Sequence, residues 1–132
     1  MKILRALVVL ASLFSSARAA DATKISAAEA AKLVKEGKAV IVDVREPAEW
    51  ASGVAAPAVL LPKSDFDCDQ KQWKEFLAKN QGKQVITYCR SGGRASAVAE
   101  ALRQQGVAAA SLGGLKDWTA AGLPTRQVET KK

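Results

Sequence analysis

Cys89 is one of only two cysteines in a chain of 132 residues that contains no histidine. Its surroundings have a pattern that could do chemistry. Val85-Ile86-Thr87-Tyr88 is a short apolar, strand-forming run, and Cys89-Arg90-Ser91-Gly92-Gly93-Arg94 follows it directly. Gly92-Gly93 permits a sharp bend with positive φ. Beyond the bend, Ala95, Val98, Ala99 and Leu102 recur at i, i+3, i+4 and i+7, the stripe of an amphipathic helix. A strand, a bent loop and a helix in that order bring a sulfur to backbone N–H groups that lack helical partners. Successive N–H groups in such a turn form a nest for an anion. A cysteine at a helix N-terminus beside arginines is biased toward thiolate, the nucleophilic form. Arg90 and Arg94 supply fixed positive charge for an anionic substrate, and Ser91 supplies a hydroxyl donor. Cysteine can also serve as a small buried hydrophobe, but a structural thiol needs no Arg-Ser-Gly-Gly-Arg after it. The chemistry read here is nucleophilic attack by sulfur without an imidazole. The missing histidine excludes Ser-His-Asp and Cys-His mechanisms. It also removes the commonest transition-metal ligand, and no metal or cofactor is expected.

The elements that must position this loop alternate in type. Continuous apolar runs at Ala39–Val44, Val59–Leu61, Val85–Tyr88 and Ala108–Leu112 suit strands buried on both faces, and Thr23-Lys24-Ile25 could add an edge strand. Ser26-Ala27-Ala28-Glu29 is a capping box opening a helix that Gly37 ends. Further helices are expected over about 70–80, 93–105 and 115–121, the last stopped by Gly122 and Pro124. The fold class is therefore α/β: one domain with an open, mostly parallel sheet flanked by helices. In such sheets ligands bind beyond the carboxyl ends of the strands, which would place Cys89 at the lip of a crevice. Asp43 and Arg45 end the neighbouring strand and face the same rim, where on their own they read as a solvated ion pair. Trp50 and Trp118 read as core or rim packing, with substrate stacking open for Trp118.

Cys68 sits in Ser64-Asp65-Phe66-Asp67-Cys68-Asp69, where acidic neighbours disfavour a thiolate. Three readings stay open: an inert surface thiol, a disulfide partner of Cys89, or a resolving thiol that accepts sulfur from it. Spacing alone does not give the Cα separation that a disulfide requires.

The first residues read as an export signal. Met1-Lys2-Ile3-Leu4-Arg5 is basic, Ala6–Phe14 is apolar, and Ala17-Arg18-Ala19 fits the small-x-small cleavage rule. Cleavage after Ala19 would leave residues 20–132 as the domain. The apolar stretch is about half the roughly 20 residues a spanning helix needs, so a retained membrane anchor is the weaker alternative. Lys2, Arg5 and Arg18 would leave with the signal, taking the formal charge from +7 to +4. No basic stripe interleaved with aromatics remains, which argues against a nucleic-acid partner. A mildly cationic surface suits small anions instead.

The Cys89–Arg94 hexapeptide resembles the active-site loop of single-domain rhodaneses. Three further segments match that family in order: Asp43-Val44-Arg45-Glu46 with Glu49-Trp50; Gly53 through Pro62; and Gly113-Gly114 with Trp118 and Ala121-Gly122-Leu123-Pro124. Together they span about residues 23–126. Val54 stands where the family usually has histidine, and Ala56-Pro57 replaces its usual Gly-Ala pair. With the export signal added, the chain is most similar to the periplasmic group. The export signal gives a periplasmic or secreted location, and a monomer is the default state. The resemblance implies a rhodanese-like fold. It also implies a sulfurtransferase in which Cys89 takes the sulfane sulfur of a donor such as thiosulfate and passes it, as a persulfide, to a thiol or cyanide. Arg90, Ser91, Gly92, Gly93 and Arg94 would bind the donor, with Asp43 and Arg45 bracing the loop.

Rival readings use the same cysteine. A persulfide carrier serving a partner protein needs the same loop. A cysteine phosphatase or arsenate-reductase-like enzyme places one more residue between its cysteine and arginine than the four found here. A structural Cys68–Cys89 disulfide would rule out the sulfur chemistry.

Overall fold

The computed structural model describes residues 23–129. The export signal expected over residues 1–19 lies outside them. Four strands form a parallel sheet: β1 (Ala39–Asp43), β3 (Val59–Leu60), β4 (Gln84–Cys89) and β5 (Ala109–Gly114), in the order β3-β1-β4-β5. The helices are α1 (Ala27–Lys35), α2 (Pro47–Trp50), α3 (Lys63–Asp67), α4 (Lys71–Lys79), α5 (Gly93–Gln104) and α6 (Leu115–Ala120). A two-residue strand β2 (Val54–Ala55) pairs antiparallel with β6 (Thr125–Arg126), tying the end of the domain to the segment after α2.

Period-two alternation along the strands divides the core between the two sheet faces. Val42, Val44, Val85 and Cys89 face α3, α4 and α5, where Phe66, Trp73, Phe76, Val98 and Leu102 pack. Ala39, Ile41, Ile86 and Tyr88 face the other way, against Ala30 of α1 and Trp118 of α6. Phe66, Trp73 and Phe76 meet edge to face, with ring centroids 5.2 and 5.6 Å apart.

Local sequence sets the boundaries. The Ser26 hydroxyl accepts from the Glu29 N–H at 3.1 Å and caps α1, which is the hydroxyl half of the expected capping box. Gln70, at the start of α4, gives no side-chain cap, and Asp65 substitutes by accepting from the N–H groups of Gln72 and Trp73, each at 3.2 Å. Thr23-Lys24-Ile25 makes only a single parallel bridge, Lys24 to Ser111, rather than a full edge strand.

Tyr88 joins the layers. Its hydroxyl accepts from the buried Ala55 N–H at 2.9 Å, and burial, with the Asp43 carboxylate beside it, pushes its phenol well above the usual range. The folded state thus holds the Tyr88 proton to higher pH than the unfolded chain does. The stability it contributes is complete below the unfolded phenol value of about 10 and declines as pH rises past it. Tyr88→Phe leaves the Ala55 N–H without its acceptor and should cost about 1–3 kcal/mol at neutral pH. Urea titrations repeated from pH 8 to 11 should show that this deficit narrows above about pH 10; a deficit constant across that range would refute the account.

Candidate functional site

β4 delivers Cys89 at its carboxyl end, and the chain then reverses into α5. Gly92, at φ +114°, makes the turn that L side chains rarely adopt. The reversal turns two backbone donors onto one sulfur: the Gly92 N–H reaches Cys89 Sγ at 3.0 Å and the Ala95 N–H reaches it at 3.4 Å. The Thr87 hydroxyl donates to the Ala95 carbonyl at 2.9 Å and locks the first turn of α5 onto β4. The anion nest expected from the sequence is therefore present and centred on sulfur.

Cys89 does not stand at the lip of a crevice. It is 1 % exposed and belongs to the core on the α5 side, whereas Arg90, Ser91 and Gly93 above it are exposed. The reason is that both faces of β4 are covered: the two-residue period puts Cys89 with Val85 and Thr87 on the α5 side, and the following loop turns back toward its sulfur.

The floor of the loop comes from β5. A bulge shifts the β4–β5 register so that Tyr88 pairs with Gly113 and Cys89 with Gly114. A Cβ on Gly114 would drive into the Arg90 carbonyl group, so the loop backbone rests directly on this glycine. Asp117 accepts from the Gly114 N–H at 2.8 Å and holds the strand end in place. The glycine pair at 113–114 was noted in the sequence only as a family-like signature, and its physical role is this close approach.

Asp43 and Arg45 are buried and fully engaged rather than solvated. Arg45 Nε lies 3.0 and 3.1 Å from the two Asp43 oxygens, and Nη2 lies 2.7 Å from Oδ2 and 2.8 Å from the Gly53 carbonyl. Burial alone would lower the Arg45 guanidinium, but the hydrogen bonds and charge of Asp43 outweigh it and the net displacement is upward. The pair fixes the segment carrying α2. That segment presents Glu49, whose carboxylate accepts from Arg94 Nη2 at 3.0 Å. The hydrogen bond to Glu49 raises the Arg94 guanidinium. Asp43 and Arg45 thus tie β1 to the segment whose Glu49 reaches the loop, and Glu49 is a partner that sequence reasoning noted only as part of a motif. Arg94 is half-buried and occupied, while Arg90 and Ser91 point outward.

The two cysteines are both free, Cys68 exposed after α3 and Cys89 buried, so no disulfide joins them. Trp118 is 1 % exposed and donates its indole N–H to the Pro124 carbonyl at 2.7 Å, a packing role. Trp50 is half-buried, and its indole N–H is enclosed without an acceptor.

The sequence profile of the rhodanese-like domain matches residues 26–121. An uncharacterized protein of Synechocystis is 35 % identical over 102 residues, which is 76 % of this chain and 52 % of that protein. The chain therefore spans about half the length of that relative. A rhodanese-related protein of Thermoplasma volcanium has a solved structure with TM-score 0.66 at 29 % identity, covering 78 % of this chain and 96 % of the other. A human single-domain sulfurtransferase has TM-score 0.62 at 23 % identity, covering 74 % of this chain and 96 % of the other.

The geometry has a direct consequence for reactivity. A bulky maleimide added to the native protein should label Cys68 promptly and Cys89 at least tenfold more slowly, with the two equal in denaturant. Gly114→Ala should lift the loop off its floor, lower stability by about 1–3 kcal/mol and speed labelling of Cys89. Peptide-resolved mass spectrometry reads both rates, and equal native labelling of the two thiols would contradict the enclosed sulfur.

Proposed function

The chain belongs to the rhodanese-like domain family, and from that premise we propose that it is a sulfurtransferase working through a persulfide on Cys89. The observation that carries this reading is the pair of amide donors on one sulfur, at 3.0 and 3.4 Å. Donors fixed before reaction stabilise negative charge there without reorganising during it. They serve a thiolate and a persulfide anion alike.

In the first half-reaction Cys89 Sγ, as thiolate, bonds to the outer sulfur of a sulfane donor such as thiosulfate. The donor S–S bond breaks, and its electron pair leaves on sulfite. In the second, a thiol or cyanide bonds to the terminal sulfur. The persulfide S–S bond breaks, and its electron pair returns to Cys89. No proton has to move in forming the persulfide, so the lack of histidine costs nothing there. Access runs through the loop: its exposed residues 90, 91 and 93 must shift off Sγ to admit a sulfur atom. Gly92-Gly93 is the part of the chain best able to yield.

The enclosure of Cys89 also favours a second reading, in which the domain stores a persulfide away from solvent and delivers it to a partner protein. Repeated turnover separates the two, since a carrier loads once and releases a single equivalent of sulfite. The basic, then apolar residues 1–19 support an exported, periplasmic setting, in keeping with the single-domain periplasmic group. A monomer acting on small anionic donors is the form proposed.

Thiosulfate treatment of the purified protein should add one sulfur atom, located at position 89 by mass spectrometry. Cys89→Ser should abolish both that gain and sulfite release while leaving the thermal unfolding transition in place. Cys68→Ser should keep most of the turnover. Sulfite release surviving Cys89→Ser would overturn the nucleophile assignment, and its collapse in Cys68→Ser would make Cys68 a resolving thiol.

A further inference from the structure

A cavity of about 530 Å³ opens beside the loop, with Arg45, Glu49, Arg90, Leu115, Lys116 and Thr119 among its lining residues. Its charges do not cancel. Arg45 is neutralised by Asp43, and Glu49 is neutralised by Arg94. Arg90 on the loop and Lys116 on α6 have no ion-pair partner among the described residues, and both are exposed at the cavity. Arg90 is adjacent in sequence to Cys89, and Gly114, just before α6, carries the Arg90 carbonyl, so both cations line a cavity beside the loop that covers the sulfur.

We propose that Lys116 is a specificity-determining residue that, with Arg90, selects a doubly charged oxyanion as sulfur donor. The inference rests on the sulfurtransferase reading and adds a residue and a charge requirement to it. Two uncompensated cations around one small cavity are matched by a dianion. A monoanion would leave one of them unpaired, and a neutral donor would leave both. The outer sulfur of thiosulfate would lie toward Cys89 with its sulfonate oxygens between Arg90 and Lys116. The bonds formed and broken are those of the first half-reaction, and Lys116 exchanges no proton. Because sulfite leaves as a dianion too, the same two charges hold the leaving group.

The test compares thiosulfate, a dianion, with an aryl thiosulfonate, a monoanion carrying the same reactive sulfur. Lys116→Met should lower kcat/KM for thiosulfate by about tenfold or more and change that for the thiosulfonate by less than about threefold. Lys116→Arg should restore the preference. Equal losses with the two donors, or no loss, would overturn the assignment.

A second arm does not depend on turnover. Thiosulfate binding to the Cys89→Ser protein, followed by calorimetry and by NMR shifts at residues 90 and 116, should weaken with added salt and vanish in Cys89→Ser/Lys116→Met. Binding that the second substitution leaves intact refutes the role of Lys116. A wild-type protein that accepts sulfur from neither donor removes the sulfurtransferase reading, while this binding arm still decides whether Lys116 recognises the dianion.

Discussion

The bend from β4 into α5 leaves backbone N–H groups without helical partners, and the fold directs two of them onto the sulfur of Cys89. Much of the surrounding structure serves that bend. Gly92 supplies the left-handed turn, and Thr87 anchors the first turn of α5 to the strand. Gly114 lets the Arg90 carbonyl settle onto β5 where any side chain would collide. The bulge between Thr87 and Tyr88 brings that glycine opposite Cys89. Each is a backbone requirement, so the residue types at 92 and 114 follow from geometry rather than from contact with a substrate.

Electrostatic support reaches the loop indirectly. Asp43 and Arg45 are enclosed, and an enclosed ion pair holds only because its hydrogen bonds are complete. Three side-chain contacts join the two residues, and a fourth goes to the Gly53 carbonyl. Removing either partner would strand a buried charge at a cost of about 3–5 kcal/mol. The pair therefore works as a rivet between β1 and the segment that carries α2. Glu49 on that segment then engages Arg94, which makes Arg94 more a fastening of the loop than a free ligand for an anion. The sequence reading had given that arginine to the substrate. The structure leaves Arg90 as the loop arginine open to one.

How far the sequence could be read depended on whether a signal was local. The Ser26 cap of α1, the apolar stripe of α5 and the four strands of the parallel sheet were legible because each rests on a period or a cap confined to a few residues. The observed α5, Gly93–Gln104, and β4, Gln84–Cys89, differ from expectation by a residue or two at an end. The short helices α2 and α3 were missed, since four or five residues carry too little periodicity to show. The β2–β6 ribbon joins Val54 to Arg126 across the domain, and no local pattern encodes it. Within the site, loop composition revealed the nest. The depth of Cys89 comes from helices and the returning loop covering the end of β4, which no local pattern encodes, and the Glu49–Arg94 partnership spans 45 positions.

Depth and charge together make sense of a sulfur site without histidine. A thiol that needed a base would require a second titratable group within reach, whereas the groups set against Cys89 among the described residues are two amides, apolar core side chains and the Arg94 charge. Amides cannot take a proton, but they can hold an anion, so the arrangement favours a reaction in which negative charge passes from sulfur to sulfur. Sulfane transfer meets that condition, because persulfide formation from a thiolate moves an electron pair and no proton. Phosphoryl transfer meets it less well. Its transition state spreads charge over three equatorial oxygens that each need donors, whereas the loop directs its two amides at a single atom and is one residue shorter. The enclosure that should slow a bulky reagent would, under the proposed chemistry, also keep water from a bound persulfide, which gives the same geometry value whether the sulfur is passed on at once or held for a partner.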